Sequence, residues 1–371
     1  MTAFALRGWC PGAWRPMMAG DGLLVRVKPR LARLTRHDVE VLADVSHRFG
    51  SGAIDITNRA NLQIRGVGED DWPKLLGALV AAGLVEGDSM AETRRSLLVA
   101  PDWLEGDDTC SIATELLDRL DEFPQLPDKF GIGVDAGPTP MLAACPADLR
   151  IERAARGGLL LRLDGRDTGM AVRRENAVDR LRDLAHWFVE TGGRSSGRAS
   201  RHCAALPDWA GGTDRPAVSR STIPPPEGYG VPFGQTQGRA LVRLMDATGA
   251  VALRITPWRR LVPEAASFPD VEGFIRDSGD PLLRTDACPG APLCPQSRVE
   301  TRELASRLAP YIEGRLHVSG CAKGCARSRP SAVVLTGGDG TFDLAFDARP
   351  GDPPTLAGLT PDRILDHFGA C

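Results

Sequence analysis

Apolar positions recur along the chain with both helical and strand periods. Val39, Leu42 and Ala43 share one face of a helix expected over 35–48, and Thr35 stands in place to cap it. A strand over 23–27 precedes it. Strands over 53–57 and 61–67 follow, then an amphipathic helix over 69–82. A second stretch, 88–205, carries a helix near 109–120, strands near 129–134 and 159–163, and a helix over 174–190. The segments 192–197 and 224–226 read as linker. Further on, Leu241, Leu244 and Met245 mark one face of a helix that opens at Gln235 and Thr236. This order repeats an earlier one. Thr35 opens a helix leading to Ile54, Thr57 and Arg59, and Thr236 opens one leading to Leu253, Thr256 and Arg259. The weak repeat predicts a duplicated half-domain, with two strand ends around a pseudo-twofold axis and a site between them.

The stretch 57–65 alternates. If it is extended, Thr57, Arg59, Asn61, Gln63 and Arg65 share one face, and Ala60, Leu62 and Ile64 share the other. The polar face carries no acid, so it suits an anion with several carboxylates or phosphates. An ordinary solvated strand face is the plainer alternative, and a turn at 58–61 would break the parity.

Composition narrows the class. The chain has 371 residues, 42% hydrophobic and 25% charged, with a net charge of −3. Those values fit a globular protein of several domains and give no reason to expect a nucleic-acid partner. The longest apolar run, 75–85, is too short to span a bilayer, so a cytoplasmic protein is expected. Lysine is rare: only Lys28, Lys74, Lys129 and Lys323 occur among the 45 basic residues. The glycines at 131, 133 and 137 do not make a dinucleotide fingerprint, because Pro138 and Pro140 follow where a helix should start.

Nine cysteines, an odd number, argue against a disulfide framework. Four of them form a pattern: Cys288 and Cys294 with five residues between, then Cys321 and Cys325 with three between. The five-residue gap is outside the usual zinc-ribbon range, and no histidine is interleaved. An iron–sulfur cluster fits better, with zinc and plain thiols as alternatives. Gly290, Gly320 and Gly324 permit tight turns, and Lys323 offers positive charge. Ser297 and Glu300 have the spacing of a capping box whose helix dipole would also favour an anionic cluster.

Taken together, the four cysteines, the run from Thr57 to Gln63 and the repeated half-domain resemble the sulfite/nitrite reductase superfamily. The resemblance implies an α+β fold. Duplicated ferredoxin-like half-domains would cover 1–87 and 225–285, and mixed α/β domains holding tetrapyrrole and iron–sulfur cluster would cover 88–205 and 286–371. It implies that Cys288, Cys294, Cys321 and Cys325 bind a [4Fe-4S] cluster. In the family's reductases, the cysteine matching Cys325 also bridges to sirohaem. The basic cage over the haem maps to Lys28, Arg94, Lys129 and Gly131, and Gly131 stands where the family has a lysine.

The opening with Arg7, Trp9, Cys10, Pro11 and Gly12, the 287–294 loop and the strand end Thr256-Pro257-Trp258-Arg259 are similar to the superfamily's precorrin-3B synthase branch. That branch implies an O2-dependent monooxygenase of aerobic cobalamin biosynthesis. It would hydroxylate precorrin-3A at carbon 20 and close a γ-lactone. The metal-free tetrapyrrole would take the place of sirohaem, held by Arg59, Asn61, Gln63, Arg65, Arg94, Lys28 and Lys129. A mononuclear non-haem iron is also implied. The six histidines show no facial-triad spacing, and only His317, near Cys321, and Cys10 suggest themselves near a site. NADH-derived electrons would enter through a separate reductase. A sirohaem sulfite or nitrite reductase is the alternative.

Overall fold

The computed structural model describes residues 11–218 and 226–370, so Arg7, Trp9 and Cys10 lie outside the described residues. Four sheets organise the described residues. The first runs in the order Met17–Ala19, Gly22–Val27, Leu62–Val67, Ala53–Ile56, Gln235–Gln237. Another runs Tyr229–Gly230, Arg260–Pro263, Ala252–Ile255, Arg33–Thr35. The two half-domains therefore exchange strands. Thr236 pairs with Ile54, and Leu34 pairs with Leu253. Behind the sheets, helices Arg36–Phe49 and Gly238–Thr248 pack on each other. Val39, Leu42, Leu241, Leu244 and Met245 are buried there in one core. Thr35 caps the first helix in a full capping box with Asp38.

The repeat extends to atomic detail. Thr57 N–H donates to the Asn61 carbonyl at 2.9 Å, and Thr256 N–H donates to the Arg260 carbonyl at 3.1 Å. Each threonine hydroxyl accepts from backbone N–H groups two and four residues on. Each turn also holds one non-glycine residue in the left-handed region, Ala60 at φ 54° and Arg259 at φ 58°. These turns correct the expectation of one long polar strand. Residues 57–61 are a turn, the strand begins at Leu62, and Thr57, Arg59, Asn61, Gln63 and Arg65 do not form a single row. A threonine that can close a turn on its own backbone competes with extension.

The duplication covers the other two sheets as well. One runs Leu97–Val99, Ile132–Asp135, Leu149–Arg153, Leu159–Leu163, Met170–Val172. The other runs Thr285–Ala287, Leu316–Ser319, Ser331–Gly337, Phe342–Ala348, Leu356–Leu359. In both, the first two pairings are parallel and the next two antiparallel. Helices Asp108–Asp118 and Ala177–Glu190 cover the former, and Arg302–Leu308 and Pro361–Phe368 cover the latter. Residues 193–196, read as linker, form one short helical turn. Among the described residues no helix is long and apolar enough to cross a membrane.

Candidate functional site

Two adjacent parallel strands deliver the cysteines. Ala287 and Val318 are register partners, so the chain leaves the same sheet edge at Cys288 and, after Ser319 and Gly320, at Cys321. Gly320 N–H donates to the Cys288 sulfur at 3.2 Å. Gly320 has no room for a side chain, because a Cβ there would lie 2.2 Å from the Ser297 hydroxyl oxygen. The Cys325 thiol is pushed up by burial first, then by the nearby sulfurs of Cys321 and Cys288, with Cys294 adding to the effect and Lys323 opposing it. The four sulfurs thus occupy one neighbourhood.

Four cysteines with no histidine interleaved are a donor set suited to an iron–sulfur cluster. A lone tetrahedral zinc, bound at about 2.3 Å, would draw its sulfurs to roughly 3.8 Å apart. Among the described residues no three His, Cys, Asp or Glu side chains are grouped to hold one metal ion. The residues described therefore offer no fit to the mononuclear iron. His317, on the strand leading to Cys321, is fully buried, and neither ring nitrogen has a hydrogen-bond partner among the described residues. Burial lowers its pKa to about 4, which keeps it neutral at ordinary pH.

The capping-box expectation fails at this loop. The Ser297 hydroxyl donates to the Val299 carbonyl, and the helix starts only at Arg302. Glu300 instead accepts from the N–H groups of Arg302 and Glu303. The β-turn after Met17–Ala19 braces the same loop: a Cβ on Gly20 would sit 2.3 Å from the Leu293 carbonyl oxygen and 2.6 Å from Pro295. Gly20→Ala should cost about 1–3 kcal/mol through overpacking. A denaturation midpoint equal to the parent's would show that this contact yields without cost.

The basic residues separate into groups. Arg59 donates to the Lys129 carbonyl and, at 3.4 Å, to the Ser96 hydroxyl. Arg198 donates to that same Lys129 carbonyl at 2.8 Å, so two guanidiniums converge there. Beneath them the Asp148 carboxylate is fully buried, accepts from the N–H groups of Gly131 and Ala199, and pairs with Arg198 at 3.0 Å. A Cβ on Gly131 would lie 3.3 Å from the Arg59 guanidinium, so the small residue leaves that side chain its place. The Lys129 side chain is exposed.

Lys28 belongs to another group. Its ammonium donates to the Glu92 carbonyl and lies 3.7 Å from the Glu92 carboxylate. Arg95 reaches the Lys28 carbonyl at 2.8 Å and pairs with Glu86 and Glu92. Burial lowers the Lys28 pKa to about 8, against the raising effect of Glu92. Arg94 instead lines a partly open cleft with Met90, Thr93, Phe123, Pro127 and Phe130, and its buried Nε has no hydrogen-bond partner among the described residues. Ser96, which Arg59 contacts, lies on the wall of that cleft.

The remaining members of the expected row have protein partners. Arg65 is bidentate on Asp21 at 2.8 and 2.9 Å and also pairs with Asp55 at 2.8 Å. The Gln63 side chain accepts from Arg26 at 2.8 Å, and the Asn61 backbone N–H donates to the Thr57 hydroxyl, which fixes its place in the turn. Sequence reasoning missed Arg198, Arg95 and Arg302. In a chain so rich in arginine, residue type alone could not single them out.

Comparison with known proteins agrees with this architecture. Residues 15–82 match the family model described as the nitrite/sulfite reductase ferredoxin-like half domain. The structure is similar to that of the NirA protein of Mycobacterium tuberculosis, with a TM-score of 0.56 over 93% of this chain and 79% of that one, at 16% identity. In sequence it is 26% identical to a ferredoxin–nitrite reductase of Synechococcus elongatus, over 89% of this chain and 78% of the relative. Fold and sequence together define a member of the sulfite/nitrite reductase superfamily. A precorrin-3B synthase of Sinorhizobium sp is 33% identical, over 92% of this chain and 83% of that protein. The chain belongs to the precorrin-3B synthase family.

Proposed function

We propose that the chain is a cytoplasmic precorrin-3B synthase, an O2-dependent monooxygenase that hydroxylates precorrin-3A at carbon 20 and closes the γ-lactone with the ring-A acetate. One oxygen atom of O2 enters the substrate. The other leaves as water, consuming two electrons and two protons from an external reductant. The observation that carries the reading is the gathering of four thiols at one sheet edge, in a chain of this family. A [4Fe-4S] cluster held by Cys288, Cys294, Cys321 and Cys325 supplies one-electron transfer when bound. NADH-derived electrons reach it through a separate reductase. No step is assigned to a mononuclear iron.

The chain's own residues bind and orient the ring. The substrate is flat and apolar with a rim of carboxylates. Arg59 and Arg198 present guanidiniums suited to bidentate carboxylate contacts. Lys28 and Lys129 add point charges, and Arg94 sits where the cleft meets Ser96. Arg65, clamped by Asp21 and Asp55, contributes mainly by holding the sheet. Metal analysis of anaerobically purified protein tests the reading. Iron and acid-labile sulfide with broad absorption are expected, and zinc without iron would overturn it.

The Lys28 ammonium gives the reaction a pH signature. Its lowered pKa means that it carries its charge below about pH 8 and loses it above. If it holds a substrate carboxylate, kcat/KM falls as pH rises through about 8, by roughly 10- to 100-fold for one charge-assisted hydrogen bond. Lys28→Arg, which does not titrate in this range, should flatten that limb. A profile identical in parent and variant would remove Lys28 from the binding set.

A further inference from the structure

The cysteine loop is joined to the first half-domain by a chain of side-chain contacts. Thr301 Oγ1 donates to the Cys288 carbonyl at 2.6 Å. The next residue, Arg302, donates to the Gln235 side-chain oxygen, and its guanidinium lies 5.8 Å from the centre of the Phe233 ring. The Gln235 amide donates to Asp55 at 2.6 Å, and Asp55 accepts from Arg65. Gln235 and Asp55 are also backbone partners across the exchanged strand, so the pairing is fixed by the sheet.

The sequence of charges along this chain has a direction. Arg302 is its positive end, directly bonded to a neutral amide, and the Asp55 carboxylate lies one side chain further away. Burial lowers the Arg302 pKa, and the Cys288 sulfur is among the groups that oppose this, after Asp55. A half-buried guanidinium is poorly screened by solvent, so its field reaches groups beside it at more than bulk-water strength.

We propose that Arg302, aimed by Gln235, raises the reduction potential of the cluster bound at the four cysteines. This rests on the cluster assignment above. Adding one electron makes the cluster more negative, and a fixed positive charge beside Cys288 stabilises that form more than the oxidised one. The electron comes from the external reductant, and no bond is made or broken at Arg302.

A redox titration of the cluster-loaded full chain, followed by absorption and electron paramagnetic resonance, tests this. Arg302→Gln should lower the midpoint so that the reduced-to-oxidised ratio at a fixed potential falls about tenfold, a shift of about 59 mV for one electron. Arg302→Lys should stay close to the parent. Asp55→Asn should move the midpoint the other way and by less, because it removes the charge that partly balances Arg302. It also reads the effect if Arg302→Gln fails to fold. Unchanged midpoints in whichever of Arg302→Gln and Asp55→Asn hold the parent's iron and sulfide would overturn the proposal. A parent chain that holds no cluster would instead overturn the assignment on which it rests.

Discussion

Replacing Cys288, Cys294, Cys321 or Cys325 with serine is expected to bleach the iron–sulfur absorption and abolish turnover of precorrin-3A. The expectation follows from how the four thiols are presented. Each must be deprotonated to bind iron, and burial, together with the neighbouring sulfurs, pushes the Cys325 thiol up, so this thiol is poorly suited to stand as a free anion. A cationic iron core relieves that conflict by taking the sulfurs as thiolates. Serine supplies a harder and far less acidic oxygen, which iron–sulfur chemistry does not favour. The fold should survive the change. The core beneath the loops is built from Leu304, Val318, Leu335 and Phe342, none of which depends on the thiols. Far-ultraviolet circular dichroism close to the parent, with no cluster absorption, is the predicted combination. Full activity in any one of the four variants would remove that cysteine from the ligand set.

Arg59→Ala should weaken precorrin-3A binding by roughly 10- to 100-fold, the loss of one charge-assisted hydrogen bond, and leave the cluster spectrum unchanged. Arg59 is half-buried and anchored on the Lys129 carbonyl beside Arg198, at the start of the strand Ile132–Asp135. Arg198 remains in the variant, held by Asp148, so binding should be reduced rather than lost. Arg59→Lys should recover only part of the deficit, because a point charge cannot reproduce a two-pronged contact. Normal binding by Arg59→Ala in equilibrium titration would contradict the assignment of this arginine pair to the substrate.

The sequence made some elements legible and hid others for physical reasons. The helix after Thr35 and the one carrying Leu241 and Leu244 declared themselves through apolar spacing, and their cores are where that spacing put them. The cysteine loops were legible because ligand spacing is local. The strand Leu149–Arg153 was not, because Arg150 and Glu152 look like surface residues. They are buried, and they balance one another and Arg162 and Asp164. The polar row failed for a different reason. Thr57 can hydrogen-bond its own backbone, and that turn wins over two more residues of strand. Only part of the duplication could be read from sequence. The matching order of the two parallel-edged sheets is a property of hydrogen-bond pairing, and the cysteine loops have no counterpart of similar composition in the first copy. The exchange of strands was hidden too, since Gln235 finds its partner Asp55 only in three dimensions.

The central claim, that this chain inserts oxygen into a tetrapyrrole, is tested most directly by supplying isotopically labelled O2. The cluster-loaded protein, precorrin-3A and a reductant would be combined, and the product's mass read. One labelled oxygen atom in the product, with no conversion when O2 is withheld, is the predicted result. Conversion without O2, an unlabelled product, or an intense haem-like absorption band accompanied by reduction of sulfite or nitrite would contradict it.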